Sequence, residues 1–265
     1  LGDGMGPGTL HDTRRSHLSS YGWGHWGDLD PNPAPAPGTP ARLLHALAAG
    51  LEGVELPTGS RILDAGCAVG RSSFALAQRY DDALVLGLDL SFSFLRVAAH
   101  ALRHGEARYP LRRVGIVYDE RRYAVDTTGA ERVDFWCADA QSLPFVPGIA
   151  ALATSLNLVD CVPSPREHLE SLRDVVAVGG TAVVATPFDW SPSATELAEW
   201  IGGHAQLGPL GGRAELAFDA LVGEHPFAID GFVAEGAAHD VPWSVRLHDR
   251  SAATYEVRVR RLRRA

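Results

Sequence analysis

The chain has 265 residues and a formal net charge of −8, and every one of its 24 basic residues is arginine. That acidity argues against a protein that coats nucleic acid, where local positive charge sets affinity for phosphate, and no apolar run is long enough to cross a bilayer. With 46% hydrophobic and 21% charged residues, one sizeable packed core is expected; Cys67, Cys137 and Cys161 are too few and too scattered for a disulfide framework or a zinc site.

Residues 1–29 are rich in Gly, His and Ser and hold Tyr21-Gly-Trp-Gly-His-Trp-Gly27. Rings spaced by glycine make a poor helix and a poor central strand, so the reading is a loose segment laid over the body or over a ligand. Tyr21, Trp23 and His25 are its candidate substrate contacts. His11, His17 and His25 show no metal-ligand spacing, and no metal is expected. The start has neither the basic nor the apolar region of a signal peptide, and a cytoplasmic location is expected. Residues 30–40 form a stiff Pro-rich connector. Pro40 then opens a helix over 41–51 with Leu43, Leu44, Leu47 and Leu51 on one face. This divides the chain into an N-terminal segment with a capping helix (1–57) and a main domain (58–265) with an insert near 104–132.

The main domain is organised around Arg61-Ile-Leu-Asp-Ala-Gly-Cys-Ala-Val-Gly70. An apolar strand runs into a turn containing Gly66 and Gly70, and a helix starts near Arg71. Glycines let the backbone turn tightly and approach a ligand, which then meets the first N–H groups of the helix. Asp64 is the informative residue, because a carboxylate at this place repels a pyrophosphate and suits an amine or a sulfonium. Cys67 reads as a small residue beside the backbone rather than a reactive thiol. The next strand, 83–89, ends in Asp89, placed to take both hydroxyls of a ribose. Ser91 is the N-cap residue of the helix that follows.

Residues 104–132 are longer than a minimal β/α connection needs, and short apolar alternations around Gly115 and Asp119 suggest a hairpin carrying Tyr118. Strand 133–137 leads to a third acid, Asp139, and Ala140. Strand 150–158 ends in Asn157-Leu-Val-Asp160. A helix over 166–176 carries His168, Gly179-Gly180 ends it, and 181–186 is the fifth strand. Pro187-Phe-Asp-Trp190 turns over the same rim, a helix is expected over 193–201, and another over 216–222. Two late strands finish the sheet as an antiparallel hairpin. Each acid taken singly is also a good helix cap; three in this order resemble the S-adenosylmethionine site of the seven-strand, class I methyltransferases.

A narrower resemblance lies in Leu63-Asp-Ala-Gly-Cys-Ala-Val-Gly-Arg-Ser-Ser-Phe-Ala-Leu-Ala77, Asn157-Leu-Val-Asp160, Pro187-Phe-Asp-Trp190, Glu199-Trp-Ile-Gly-Gly203 and Asp240-Val-Pro-Trp243. These are similar to the mercaptohistidine N-methyltransferase domain of ovothiol synthases; the aromatic segment and its connector fall outside the resemblance. It implies a Rossmann-like α/β fold, a mostly parallel seven-stranded sheet with an antiparallel C-terminal hairpin, and methyl transfer to an imidazole nitrogen of a thiolated histidine. It implies Asp64, Gly66 and Gly70 at the methionine end of the cofactor, Asp89 at the ribose, and Asp139 with Ala140 at the adenine. Cys67, Ser72, Leu90 and Asn157 complete the cofactor set. Asp160, Glu199 and His168 are the catalytic candidates, and Tyr118 and Trp190 join the N-terminal rings as substrate contacts. A small-molecule acceptor is expected rather than nucleic acid or membrane, and a homodimer is compatible with the insert.

Other classes fit less well. O- or N-methylation of another small natural-product intermediate shares every cofactor feature. A nicotinamide oxidoreductase would leave Asp64 facing phosphate, and a chain without lysine has no catalytic Tyr-x-x-x-Lys. A noncatalytic nucleotide-binding or assembly protein has no need of three strand-end acids.

Overall fold

A computed structural model describes residues 10–31, 42–207, 210–223 and 225–265. Its centre is a seven-stranded sheet in the order β5-β2-β1-β6-β7-β9-β8. Strands β1 (Arg61–Ala65), β2 (Leu84–Asp89), β5 (Val133–Cys137), β6 (Ala150–Leu156) and β7 (Val176–Thr186) are parallel. The long strands β8 (Phe232–His248) and β9 (Ser251–Arg264) close the sheet antiparallel to β7 and to each other. The chain runs outward from β1 to β2 and β5, then returns to the other side of β1 with β6. That reversal opens a crevice at the carboxyl ends of β1 and β6, where open α/β sheets bind ligands.

Helices α3 (Arg71–Arg79), α4 (Phe92–His104), α5 (Pro165–Val175) and α6 (Ala214–Leu221) cover the sheet. Two buried clusters lie on its two faces, one including Leu47, Ile62 and Val259, the other Leu63, Leu172 and Phe218. Among the described residues no helix is long and apolar enough to cross a membrane. Helix α2 (Arg42–Gly50) buries Leu43, Ala46 and Leu47, close to the leucine face read from the sequence. Pro40 and the connector beyond Pro31 lie outside the described residues.

The aromatic segment overturns its sequence reading. It is a 17-residue helix, α1 (Leu10–Trp26), although each helical glycine costs up to about 1 kcal/mol against alanine. Packing supplies what propensity lacks. A Cβ on Gly22 would lie 2.4 Å from the ring of Tyr109, so glycine is what lets the helix reach that ring. Tyr109 belongs to the insert, which forms the antiparallel hairpin β3 (Glu106–Val114) and β4 (Val117–Ala124). Tyr123 of that hairpin donates to the Trp26 carbonyl at 2.5 Å, the Arg112 amide donates to Ser19 Oγ at 2.7 Å, and Trp26 Nε1 donates to the Val69 carbonyl at 3.0 Å. Helix, hairpin and ligand turn therefore share one buried cluster.

Two further readings are corrected. Gly179-Gly180 does not end a helix: α5 stops at Val175, and the glycines sit inside β7 where its register with β6 shifts. Residues 193–201 hold only a 3₁₀ turn at Leu197–Glu199, because Thr195 Oγ1 donates to the Val162 carbonyl and Trp200 Nε1 to the Thr195 carbonyl, local bonds that compete with a helix.

Gly50 tests how α2 sits on the sheet. A Cβ there would lie 2.2 Å from Val183 Cγ1 on β7. Gly50→Ala gains up to about 1 kcal/mol of helix propensity but overpacks a full core, which costs roughly 1–3 kcal/mol. Urea unfolding is therefore expected to show a less stable variant; equal or greater stability would contradict this contact.

Candidate functional site

The turn after β1 is fixed by backbone bonds before any ligand is considered. The amides of Gly66 and Cys67 both donate to the Leu88 carbonyl, at 2.8 and 2.9 Å. Gly66 has φ 73°, and a Cβ there would press on Leu158 at 2.8 Å, so this position demands glycine. Ala68 is also left-handed, with φ 48°, a conformation that costs a non-glycine residue about 1–3 kcal/mol. Its amide donates to Asp89 Oδ2 at 2.9 Å, while the Ser91 amide donates to Asp89 Oδ1 at 2.7 Å. The Asp89 carboxylate is thus held from both sides, and each oxygen keeps a lone pair. Burial raises its pKa, against the pull of those two N–H groups.

Above the turn lies a cavity of about 670 Å³, within the range of small-molecule sites. It follows the carboxyl ends of the parallel strands. One wall is the face of α1 bearing Ser20, Tyr21, Gly24 and His25, and another is the β8–β9 hairpin with Trp243, Val245 and Tyr255. Of the residues expected at the site, Gly66, Ser72, Asp89, Leu90, Asp139, Ala140, Asn157, Asp160, Tyr21 and His25 line it. Asp139 is exposed at the rim, its Oδ1 accepting from the Gln141 amide at 2.9 Å. Asn157 has φ 54°, and its buried Oδ1 has no hydrogen-bond partner. Asp160 is 3% exposed, its oxygens accepting from Thr186 Oγ1 at 3.2 Å and the Asp189 amide at 3.0 Å. Burial raises its pKa.

The other expected residues lie elsewhere, each for a visible reason. Asp64 is buried beneath the turn, and its oxygens accept from Ser72 Oγ at 2.6 Å, Ser73 Oγ at 2.6 Å and Thr154 Oγ1 at 2.7 Å. It reaches the cavity only through Ser72, so the direct cation contact read from the sequence becomes a positioning role. Gly70 starts α3 with φ 90°, and a Cβ there would meet Ala98 and Phe135 at 2.8 Å; it serves helix packing. Cys67 is fully buried with its thiol pushed far up by burial, an inert space-filler. His168 is also fully buried and uses both nitrogens, Nδ1 with the Ala140 carbonyl at 3.0 Å and Nε2 with Ser155 Oγ at 2.8 Å. It positions Ala140 and stays neutral, burial lowering its pKa.

Glu199 is exposed and accepts from Ser164 Oγ at 2.9 Å, away from the cavity. Trp190 stacks on Trp200 at 5.9 Å. Trp23 is buried in the cluster shared by α1 and the insert. Tyr118 lies under the Arg15 guanidinium, 4.5 Å from ring centre. None of these four lines the cavity.

Among the lining residues that escaped the sequence reading are Ala68, Phe94, Asp189, Trp243 and Tyr255. Asp189 had a signal, since it adjoins the chosen Trp190 on the rim turn. Trp243 and Tyr255 face each other in register and reach the cavity only because the late hairpin folds back. Among the described residues no group of three or more His, Cys, Asp or Glu side chains is placed to hold a metal ion.

Residues 63–184 match the family described as "Methyltransferase domain". Over that span the chain is similar to a methyltransferase domain, and its sheet order and antiparallel finish are those of the Rossmann-like class I methyltransferase fold. The chain is 30% identical over 177 residues to a trans-aconitate 2-methyltransferase of Variovorax paradoxus, covering 66% of this chain and 65% of that one. It is 30% identical over 129 residues to a ubiquinone biosynthesis O-methyltransferase of Leptothrix cholodnii, covering 48% and 44%. The chain thus spans less than two thirds of these relatives' own lengths. The crystal structure of the 4+2 cyclase SpnF shares the fold, with TM-score 0.57, 17% identity, and coverage of 97% of this chain and 94% of that one. The narrower likeness to the ovothiol enzymes finds no support among these relatives.

The residues of the site fit S-adenosylmethionine. Asp89 offers free lone pairs where a ribose would sit, and the orphaned Asn157 Oδ1 calls for a donor such as an ammonium. Asp89→Ala is expected to weaken S-adenosylmethionine binding at least tenfold with little loss of thermal stability. Asp64→Ala is expected to unfold more easily by roughly 1–3 kcal/mol, since it strands buried hydroxyls. Calorimetry and thermal melts separate the two; unchanged affinity in Asp89→Ala would contradict the ribose assignment.

Proposed function

We propose that this chain transfers a methyl group from S-adenosylmethionine to a ring nitrogen of a small acceptor of the imidazole type, with thiohistidine derivatives the first to try. The observation that carries the reading is charge. Asp89, Asp139, Asp160 and Asp189 line the cavity, and no arginine is among its described lining residues. A tricarboxylate such as trans-aconitate would meet carboxylates with no lining cation to offset them. A neutral ring would not.

Bound S-adenosylmethionine supplies a methyl group already activated on positive sulfur. The chain's own task is then alignment and exclusion of water, and positioning alone supplies up to roughly 7–11 kcal/mol in favourable cases. The buried Asp160 is suited to accept the N–H of the ring nitrogen that is not methylated. That bond selects the tautomer whose lone pair faces the methyl. Tyr21 stands against Phe94 at 4.5 Å between centroids and supports a flat ring from the α1 side. His25 is not the base: burial, with the Arg71 charge second, holds its pKa down to about 3. A phenol acceptor is the second reading, favoured by the Leptothrix relative, and there Asp160, its pKa raised by burial, would take the hydroxyl proton.

Incubating the protein with S-adenosylmethionine and a panel of 5-thiohistidine, histidine, catechol and trans-aconitate tests the proposal by the position of the added mass. Methylation on an imidazole nitrogen is expected. Asp160→Asn should lower kcat about tenfold, or ~1.4 kcal/mol in the barrier, while donor affinity holds. Turnover of trans-aconitate alone would overturn the reading.

A further inference from the structure

We propose that the acceptor carries a protonated amine and that Asp189, backed by Tyr255, is the residue that selects for it; this rests on the imidazole reading above and names a second handle on the same molecule.

The argument begins with distance along the rim. Asp89 ends β2, while Asp189 follows β7, and the sheet order places β1 and β6 between them. Three strand spacings amount to roughly 14 Å. A donor whose ribose sits on Asp89 and whose methionine end lies over Gly66 and Asn157 leaves Asp189 to the acceptor.

At that end the carboxylate faces the cavity. The Asp189 amide is committed to Asp160 Oδ2, which fixes the turn, and the exposed side chain lines the cavity. Tyr255, half-buried on β9, lines the same cavity as Asp189, and burial, with that carboxylate second, raises its pKa. Trp243, directly across the hairpin from Tyr255, adds a second ring to the same wall. A carboxylate flanked by Tyr and Trp faces is a receptor for an ammonium, joining ion pairing to the attraction of cations for aromatic rings. With no arginine among the described lining residues, the Asp160 and Asp189 charges have no counter-ion in the cavity wall.

A second observation is independent of charge. His25 is 6% exposed, lines the same cavity, and keeps Nδ1 without a hydrogen-bond partner. A buried orphan of this kind is destabilising until something pairs with it. The α1 wall therefore also calls for a polar ligand rather than a purely apolar ring.

Histamine and 4-methylimidazole share the ring and differ in the amine, so they isolate the handle. Wild-type protein is expected to favour histamine at least tenfold in kcat/KM, mainly through KM. Asp189→Asn keeps the backbone bond to Asp160 and should bring the ratio near one. Equal turnover of both compounds by wild-type protein, or an unchanged ratio in Asp189→Asn, would overturn the proposal while leaving imidazole methylation standing. Should neither imidazole be methylated, the imidazole reading fails by itself. Calorimetry of histamine on protein saturated with S-adenosylhomocysteine then decides the handle: wild-type binding lost in Asp189→Asn supports it, and no wild-type binding, or equal binding by both proteins, overturns it.

Discussion

A buried carboxylate bound by three hydroxyls holds this molecule's functional end together. Asp64 lies on β1 directly beside Thr154 of β6 in the parallel register, and Ser72 and Ser73 come from the first turn of α3. Removing a carboxylate from water is costly unless its lone pairs are satisfied, and here Ser, Ser and Thr satisfy them. The burial penalty still raises its pKa. What the arrangement achieves is geometric: two strands and a helix are pinned at one point, and the turn from Gly66 to Gly70 has to pass over it. The Ala68 amide is thereby presented to Asp89, and Asp89 to the cavity.

A separate set of contacts encloses the cavity. Family likeness covers residues 63–184, yet much of the wall comes from outside that span. Helix α1 is clamped by the inserted hairpin through Tyr123 and Tyr109, and by Arg121 with Asp30. The β8–β9 hairpin is tied to α1 where Ser20 Oγ donates to the Arg246 carbonyl at 3.0 Å, and to the insert where Arg246 donates to the Arg112 carbonyl at 2.8 Å. On the proposed reading the donor end comes from the shared domain, while much of the acceptor end, Asp160 apart, comes from α1 and the late hairpin, where acceptor preference has freedom to diverge.

Much of the fold was legible because its signals are local. Apolar strands ending in acids, a glycine turn and amphipathic helices carry their own periodicity, and Asp89 could be placed from chain order alone. The failures share one physical cause, side-chain direction. Asp64, His168, Trp190 and Glu199 lie near the right rim in sequence, but Asp64 points inward to hydroxyls, His168 into the core, Trp190 onto Trp200 and Glu199 toward Ser164. Helix α1 was illegible for a different reason. Its glycines lower helix propensity, yet Gly22 is the contact that lets the helix settle on Tyr109. Trp243 and Tyr255 needed knowledge of how far the last hairpin extends beyond β7, which no local pattern contains.

On the proposed reading, a sulfonium nucleoside lies along the carboxyl rim with its sugar on Asp89. A crystal structure of the protein grown with S-adenosylhomocysteine tests it directly. The account predicts both ribose hydroxyls on the Asp89 carboxylate, the adenine beside Asp139 and Ala140, and the sulfur facing the space between Tyr21 and Asp160. Ribose density away from Asp89, or a nucleoside bound outside this cavity, would contradict it.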